Sequence, residues 1–327
     1  MAHPMTNLAI GARTLPQLRR ALLAWYDKNK RDLPWRKTRD PYAIWVSEIM
    51  LQQTRVAAVL PRYREFLDRF PTVEKLASAR EASVLAQWSG LGYYRRARNL
   101  HAAAKMVARE GKFPKTAEAW RSLPGIGRYT AAAIASIAFQ EPVAVLDGNV
   151  ERVVRRLVGK LCTSAESWQA AERLLDRERP GDFNQAMMEL GATICVPGAP
   201  RCGDCPLKRF CRTRGRGTGT KTNPRQCKRE IAYLLSQRAG SVLLVQRPKA
   251  SSLMPGMWEL PEFASGATPD QIMFILRHSI TVTDFKVTVV QGSSAAEIGR
   301  WISISRLNQL PLTGLAKKIL RGAKIIQ

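Results

Sequence analysis

Leu123-Pro124-Gly125-Ile126-Gly127-Arg128-Tyr129-Thr130 runs directly into AAAIASIAF, residues 131–139. Pro124 cannot continue the helix before it. Gly125 and Gly127 permit a turn too tight for side chains, and the alanine-rich run is a strong helix former. The stretch predicts a hairpin between two helices, with exposed N–H groups at the positive end of the second helix. An anion is favoured there. A bare G-x-G turn is weak evidence, and its commonest meaning is an ordinary helix–helix connection. The proline, the paired glycines and the helix that follows point together to a phosphate clamp, which grips a backbone and reads no sequence.

On both sides of this stretch, from about Thr14 to Cys195, apolar residues recur at helical spacing. Leu15, Leu18, Leu22 and Trp25 form one stripe, Val56, Val59, Leu60 and Tyr63 another, and Val150, Val153, Val154 and Leu157 a third. Pro34, Pro41, Pro71, Gly90, Gly92, Pro114 and Pro180 punctuate them. The segment reads as an all-helical domain of many short helices over residues 1–212. Residues 213–229 are basic, rich in glycine and almost without apolar side chains, and read as a linker. Beyond them, Ile231–Leu235, Val242–Gln246 and Phe285–Val290 are short strand-like runs, and Gly314–Leu320 fits a last amphipathic helix. Residues 230–327 are expected to form a small α+β domain.

The chain has 327 residues, 45% of them hydrophobic, enough for two cores. Its formal net charge of +26 predicts a polyanionic partner. A membrane surface is the rival partner, but it calls for one concentrated basic anchor, and here the charge is spread along the chain. Nucleic acid is the better match, with binding that weakens steeply as salt rises. No apolar stretch near Met1 resembles a signal peptide. The expected location is intracellular and reducing, by default a bacterial cytoplasm and its nucleoid.

Cys195, Cys202, Cys205 and Cys211 lie within CVPGAPRCGDCPLKRFC. Clustered cysteines in a reducing compartment usually hold metal. Cys202 and Cys205 can converge from one tight turn, and Cys195 and Cys211 can close a four-sulfur cage. Zinc sites often show two close pairs and this loop has one, which leans toward a 4Fe–4S cluster over zinc. Arg201, Lys208, Arg209, Arg212 and Arg214 crowd the same segment, as a phosphate-contacting loop requires. Cys162 reads as a core residue and Cys227 as part of the linker.

Two carboxylates are candidates for chemistry. Asp147, in VLDGNV, is placed to cap the helix that follows; a carboxylate held there stays ionised and can stabilise a cationic transition state. Glu48, in WVSEIMLQQT, stands among apolar residues, so burial should raise its pKa and suit it to general acid work. Taken alone, Glu48 is more often a surface glutamate. Gln52 and Gln53 offer amides suited to base edges. Tyr93 and Tyr94 sit on a glycine hinge before Arg95 and Arg96; such aromatics can wedge between bases, though a Tyr-Tyr pair by itself more often packs in a core.

The set SEIMLQQT, GLGYYRRARNLH, LPGIGRYTAAAIASIAF, VLDGNVERV, FNQAMMELGATIC and the four-cysteine loop resembles the adenine DNA glycosylases of the MutY type, in the endonuclease III superfamily of helix-hairpin-helix glycosylases. The resemblance covers about residues 15–215 and continues more weakly through SVLLVQRP and MPGMWELPEF. It implies a helix-hairpin-helix glycosylase domain with an iron–sulfur loop, followed by a Nudix-like domain. The implied partner is double-stranded DNA carrying an adenine mispaired with 8-oxoguanine or guanine, and the implied protein is a monomer. The resemblance gives Arg31, Leu33, Trp35 and Glu189 to the adenine pocket, and base protonation to Glu48. Cation stabilisation or capture goes to Asp147, water activation to Glu48 with Tyr129 and Asn149. Gln53, Tyr93 and Leu51 fall beside the opposite base. Gly125 and Gly127 become the backbone clamp, and the four cysteines become cluster ligands. Bifunctional lyases of the superfamily carry a lysine where this chain has Tyr129; a phenol cannot form an imine, so base removal without strand cleavage is expected.

The C-terminal part lacks the glutamate-rich metal box of Nudix hydrolases. The family usually presents a Phe-Ser-His-like triplet toward the lesion, and the nearest match here is Ile280-Thr281-Val282. Thr281 keeps a hydroxyl; Val282 replaces the histidine, so weaker preference for 8-oxoguanine over guanine is expected. The competing readings are an endonuclease III-like enzyme for oxidised pyrimidines and a non-catalytic DNA-binding protein stapled by zinc.

Overall fold

Prolines open several helices in this chain. Pro16, Pro41 and Pro180 each stand in the first turn of a helix, where no backbone N–H is needed. Side-chain caps complete the pattern: Asp40 accepts from the amides of Tyr42 and Ala43, and Thr163 and Glu166 form a reciprocal capping box. In a computed structural model of the chain, residues 11, 13–159, 163–216, 227–251, 253–263, 271–280, 283–292 and 299–326 are described. Cys162, Thr281 and Val282 lie outside the described residues, as does much of the expected linker.

Contacts group the chain into two units: Met1–Tyr63 with Ala103–Lys221, and Arg64–Ala102 with Thr222–Gln327. The first unit is helical, built from α1 (Leu15–Asn29), α2 (Pro41–Leu51), α7 (Ala117–Trp120), α8 (Arg128–Phe139), α9 (Gly148–Val158), α10 (Ser164–Leu174) and α11 (Pro180–Thr193). The boundaries fall within α3 (Val56–Arg69) and α6 (Arg95–Glu110). The centre of the unit is α2, buried from Tyr42 through Met50, which packs on α8, as does α11. Every residue of α8 from Thr130 to Ile137 is buried, and its alanines let neighbours approach closely. Gly181 of α11 meets the carbonyl of Ser136, where an added Cβ would come within 2.6 Å. Asn184 then ties the segment before α9: its Nδ2 donates to Ser136 Oγ and Val143 O, and its Oδ1 accepts from the amide of Val145.

The second unit holds α4 (Val73–Ser78) and α5 (Glu81–Gln87) together with the C-terminal strands. β1 (Cys227–Leu235) pairs in parallel with β6 (Thr283–Gln291), which pairs antiparallel with β5 (Ile272–Ile280). A second sheet centres on β3 (Ser241–Gln246), flanked antiparallel by β2 (Gln237–Arg238), β4 (Trp258–Glu259) and β7 (Arg300–Ser303). Val242, Leu244, Val287 and Val289 meet Leu315 and Ile319 of α12 (Gly314–Gly322) in one core. Cys227 is not a linker residue. It opens β1 in register with Thr283 because backbone pairing continues past the apolar run into four exposed residues. Among the described residues, no helix is long and apolar enough to cross a membrane.

Candidate active site

Two helix faces line a cavity of about 600 Å³ in the first unit. Ile44, Ser47, Glu48 and Leu51 come from α2, and Gln185, Met188, Glu189 and Ala192 from α11. Each set is spaced i, i+3, i+4, i+7, so each presents a single stripe. The chain before α2 adds Arg31, Leu33, Trp35 and Arg36; the starts of α8 and α9 add Tyr129, Asp147 and Asn149; and Gln53 stands at the rim, exposed, at φ 55°.

Glu48 is 5% exposed, and burial pushes its carboxyl up to about 7, helped by the charge of Asp147. The Tyr129 hydroxyl donates to Glu48 Oε2 at 2.9 Å and opposes that rise. Burial holds the Tyr129 phenol well above its ordinary value, so it remains a donor. Asp147 caps α9 as its position predicts: Oδ1 accepts from the amides of Asn149 (3.0 Å) and Val150 (2.7 Å), and Oδ2 from Asn149 Nδ2 (3.1 Å). Capping alone should keep this carboxyl at or below the usual range. Burial outweighs it and raises the pKa, which corrects the expectation that the cap settles the charge.

Asn149 is held in turn. Arg152 Nη2 donates to Asn149 Oδ1 (2.8 Å) and to Gly191 O (2.6 Å), and Arg152 Nε donates to Cys195 O (2.8 Å). The cap and the cysteine loop thus share one guanidinium. Glu189 lies opposite, 1% exposed, gripped by Arg31 Nε and Nη2 (2.8 and 2.6 Å) and Arg36 Nη2 (2.7 Å). Burial would raise its pKa, but the two guanidiniums hold it down to about 2. Glu48 and Glu189 therefore face one cavity with opposite protonation habits.

The hairpin forms at 123–127. Gly125 takes φ 77° and requires its glycine, while Ile126 is buried beneath. Gly127 differs from expectation: its φ is −86°, and an added Cβ would meet nothing within 4 Å. Its bareness leaves open space at the start of α8 and is not required by the turn. No side chain caps α8 there and no acidic residue stands in the first turn, leaving its N–H groups outward-facing. Gln52 also lines the cavity, with its Nε2 donating to Thr130 Oγ1 at 3.0 Å.

Cys195, Cys202, Cys205 and Cys211 line one small space with Arg156 and Gly215. Among the described residues, no group of three His, Cys, Asp or Glu side chains is arranged to hold a metal ion. Burial, and the neighbouring Cys195, Cys211 and Cys202, push Cys205 up to about 11. Thiolates this close need a positive centre between them. Arg156 Nη1 donates to Cys195 Sγ (3.3 Å) and to Val196 O (2.8 Å), and Gly215 leaves room where a Cβ would come within 3.2 Å of Cys202 Sγ. The donor set fits a soft metal or an iron–sulfur cluster.

In the second unit the tyrosine pair splits: Tyr94 is buried and Tyr93 is 49% exposed. Thr281 lies outside the described residues. Sequence reading missed Arg36, Gln185, Met188 and Arg152. The four-residue stripe on α11 was the available signal for Gln185 and Met188. Arg36 and Arg152 act through partners remote in sequence, which no local pattern reveals.

Residues 46–176 match the family described as HhH-GPD superfamily base excision DNA repair protein. The chain is similar to the adenine DNA glycosylase of Rattus norvegicus, 42% identical over 308 residues, covering 74% of this chain and 60% of the rat protein. It is 49% identical to that of Homo sapiens over 215 residues, covering 61% of this chain and 39% of the human protein. It thus spans less than two thirds of these curated relatives' lengths. Among solved structures, a thermostable thymine-DNA glycosylase superposes with TM-score 0.56 at 30% identity, covering 61% of this chain and 95% of that one.

Proposed function

On the premise that the chain belongs to the MutY-type branch of the HhH-GPD superfamily of base excision DNA repair proteins, we propose that it hydrolyses the N-glycosidic bond of adenine mispaired with 8-oxoguanine or guanine, without cutting the strand. One observation carries the reading: Glu48, with a pKa of about 7, and Asp147, on a separate helix start, line the same cavity.

An adenine extruded from the duplex costs a few kcal/mol of unstacking. Inside the cavity, Leu33 and Trp35 are buried apolar walls, and the Glu189 clamp with Arg31 and Arg36 supplies fixed polar groups. Glu48, protonated near neutral pH, gives its proton to the base and makes it a better leaving group. The sugar left behind carries oxocarbenium character, and Asp147 balances that charge as its own ionised form is drawn out by the cation. Glu48, now ionised, takes a proton from water held by Asn149 and by Tyr129, whose phenol is already hydrogen-bonded to it, and the water oxygen bonds to the cationic sugar carbon that the base has left. Tyr129 cannot form an imine, which supports release of the base alone.

The hairpin at Gly125–Gly127 grips phosphate, Leu51 and Gln53 work beside the opposite base, and Tyr93 serves as an aromatic wedge. Cys195, Cys202, Cys205 and Cys211 would hold a 4Fe–4S cluster, which fixes the basic loop when bound. A helical glycosylase part over 1–212, a basic linker that ends before β1 at Cys227, and a C-terminal part from there on are proposed as the functional divisions; the last is Nudix-like and reads the lesion through Thr281, less selectively for want of a histidine at 282.

The test is a glycosylase assay on a panel of duplexes (8-oxoguanine:adenine, guanine:adenine, guanine:thymine, thymine glycol:adenine), with and without alkali. Adenine loss with breaks only after alkali is expected. Breaks without alkali, or preference for thymine or thymine glycol, overturn the reading. Iron and sulfide, rather than zinc, are expected in the purified protein.

A further inference from the structure

Residues 88–96 read WSGLGYYRR; the first seven join α5 to α6, and Arg95 and Arg96 open α6. Gly90, Gly92 and Tyr93 all take positive φ, 101°, 69° and 47°. Glycine adopts such angles freely; for tyrosine they cost on the order of 1 kcal/mol or more, and persist only where the surroundings insist. Tyr93 is also 49% exposed, so its own ring contributes little burial to hold it.

Two sets of contacts hold this loop. One is local. Arg96 Nη2 donates to Leu91 O (3.0 Å) and Gly92 O (3.2 Å), Trp88 Nε1 donates to Gly92 O (3.2 Å), and the guanidinium stands 5.5 Å from the centre of the Tyr93 ring. The other comes from the C-terminal chain of the same unit. Ser89 Oγ donates to Leu312 O at 2.9 Å and Tyr94 Oη donates to the same oxygen at 3.2 Å. Both donors are buried, and they bracket the strained residues on either side. Leu312 is itself anchored: it bridges to Trp258 of β4, the Trp258 amide donates to Pro311 O, and the Thr313 amide donates to Trp258 O, each at 2.9 Å. β4 pairs with β3, so one continuous chain of hydrogen bonds joins the C-terminal sheet to the loop that displays Tyr93.

We propose that Ser89 and Tyr94, through the carbonyl of Leu312, hold Tyr93 in its exposed, strained posture, so that the C-terminal sheet sets how the wedge enters DNA. The inference rests on reading Tyr93 as the wedge. Ser89 and Tyr94 are positioning residues, since both are buried and act through Tyr93.

The test compares S89A/Y94F, which removes both donors and little volume, with Y93A and with the triple variant. Readouts are affinity for 8-oxoguanine opposite a non-cleavable adenine analogue, fluorescence of a 2-aminopurine placed beside the lesion, hydrogen exchange at residues 90–93, and the melting temperature. S89A/Y94F should speed exchange at 90–93, lower the wedge-dependent fluorescence change and weaken binding by roughly three- to tenfold, the loss of about 1 kcal/mol. The triple variant should bind no worse than Y93A, because both act through one side chain. Losses that multiply, or a double variant with native exchange and binding, overturn the inference. S89A and Y94F singly should give intermediate exchange rates, which decides the matter if the double variant melts early. Native binding by Y93A overturns the wedge reading and this inference together; a defect in Y93A with none in S89A/Y94F overturns this inference alone.

Discussion

The Tyr129 hydroxyl reaches Glu48 Oε2 at 2.9 Å and Met188 Sδ at 3.1 Å, so a phenol at the start of α8 is bonded to the candidate acid itself. A donor on the ionised carboxylate lowers its pKa, while burial raises it, and burial prevails. Y129F should therefore move the Glu48 pKa further up. In single-turnover excision, the alkaline limb of the pH profile should begin near 7 in the native protein, where Glu48 loses its proton, and at higher pH in Y129F. A rate that is flat from pH 6 to 9 removes Glu48 from the role of acid.

E48Q should abolish adenine release while leaving duplex binding nearly unchanged, since the amide is almost isosteric. It should also stabilise the fold in alkali. The folded-state pKa of about 7 lies above the ordinary 4.5, so the folded protein binds the extra proton between those values and loses stability as pH rises through them. At pH 8 the ionised, buried Glu48 costs about 3 kcal/mol, and at pH 5 less than about 1 kcal/mol. A melting series should show E48Q gaining on the native protein as pH rises; a difference independent of pH contradicts the buried-acid account.

Glu189 predicts the opposite pH behaviour. Its folded pKa of about 2 lies below the ordinary 4.5, so its contribution is present above the latter and lost only as pH falls toward the former. E189Q leaves Arg31 and Arg36 without their anion. Breaking a buried pair costs about 3–5 kcal/mol, and the exposure of Arg31 reduces that to about 2 kcal/mol. The loss should be constant from pH 5 to 8, when measured in the same melting series.

Gly191 of α11 touches the main chain at Asn149, where an added Cβ would come within 2.7 Å of Asn149 Cβ and 2.9 Å of Asn149 O. G191A should push α9 away and with it Asn149 and the Asp147 cap. The expected cost is about 1–3 kcal/mol of stability, with a drop in single-turnover excision of tenfold or more, since small displacements at a reacting centre are amplified. G181A, which meets Ser136 instead, should destabilise without a comparable drop in rate at saturating enzyme. Equal kinetic effects in the two variants would show that Asn149 is not specially placed.

Local pattern made much of this molecule legible. The Asp147 cap, the Gly125 turn and the α8 helix are each decided within a few residues by φ, by capping and by side-chain size. The strands β1, β3 and β6 showed as β-branched runs; β5 did not, because its Ile272–Leu276 stretch is continuously apolar without alternation, and β2 and β4 are only two residues long. Gly127 was read as needed by the tight turn, yet its φ is ordinary and the space beside it is open; that depends on what lies across the turn, which its own neighbours do not encode.

From its letters alone, this chain fixed a helical first part with a clamp, a cap and a four-thiol loop, and a smaller β-rich part after it, because those features follow from neighbours along the backbone. Folding alone decided between a buried and a surface Glu48, and that Glu189 would meet Arg31 and Arg36 from more than 150 residues away. It alone placed two hydroxyls of 88–96 on a carbonyl more than 200 residues distant. Dielectric surroundings and long-range hydrogen bonds are properties of packing, and packing joins residues that sequence order keeps apart.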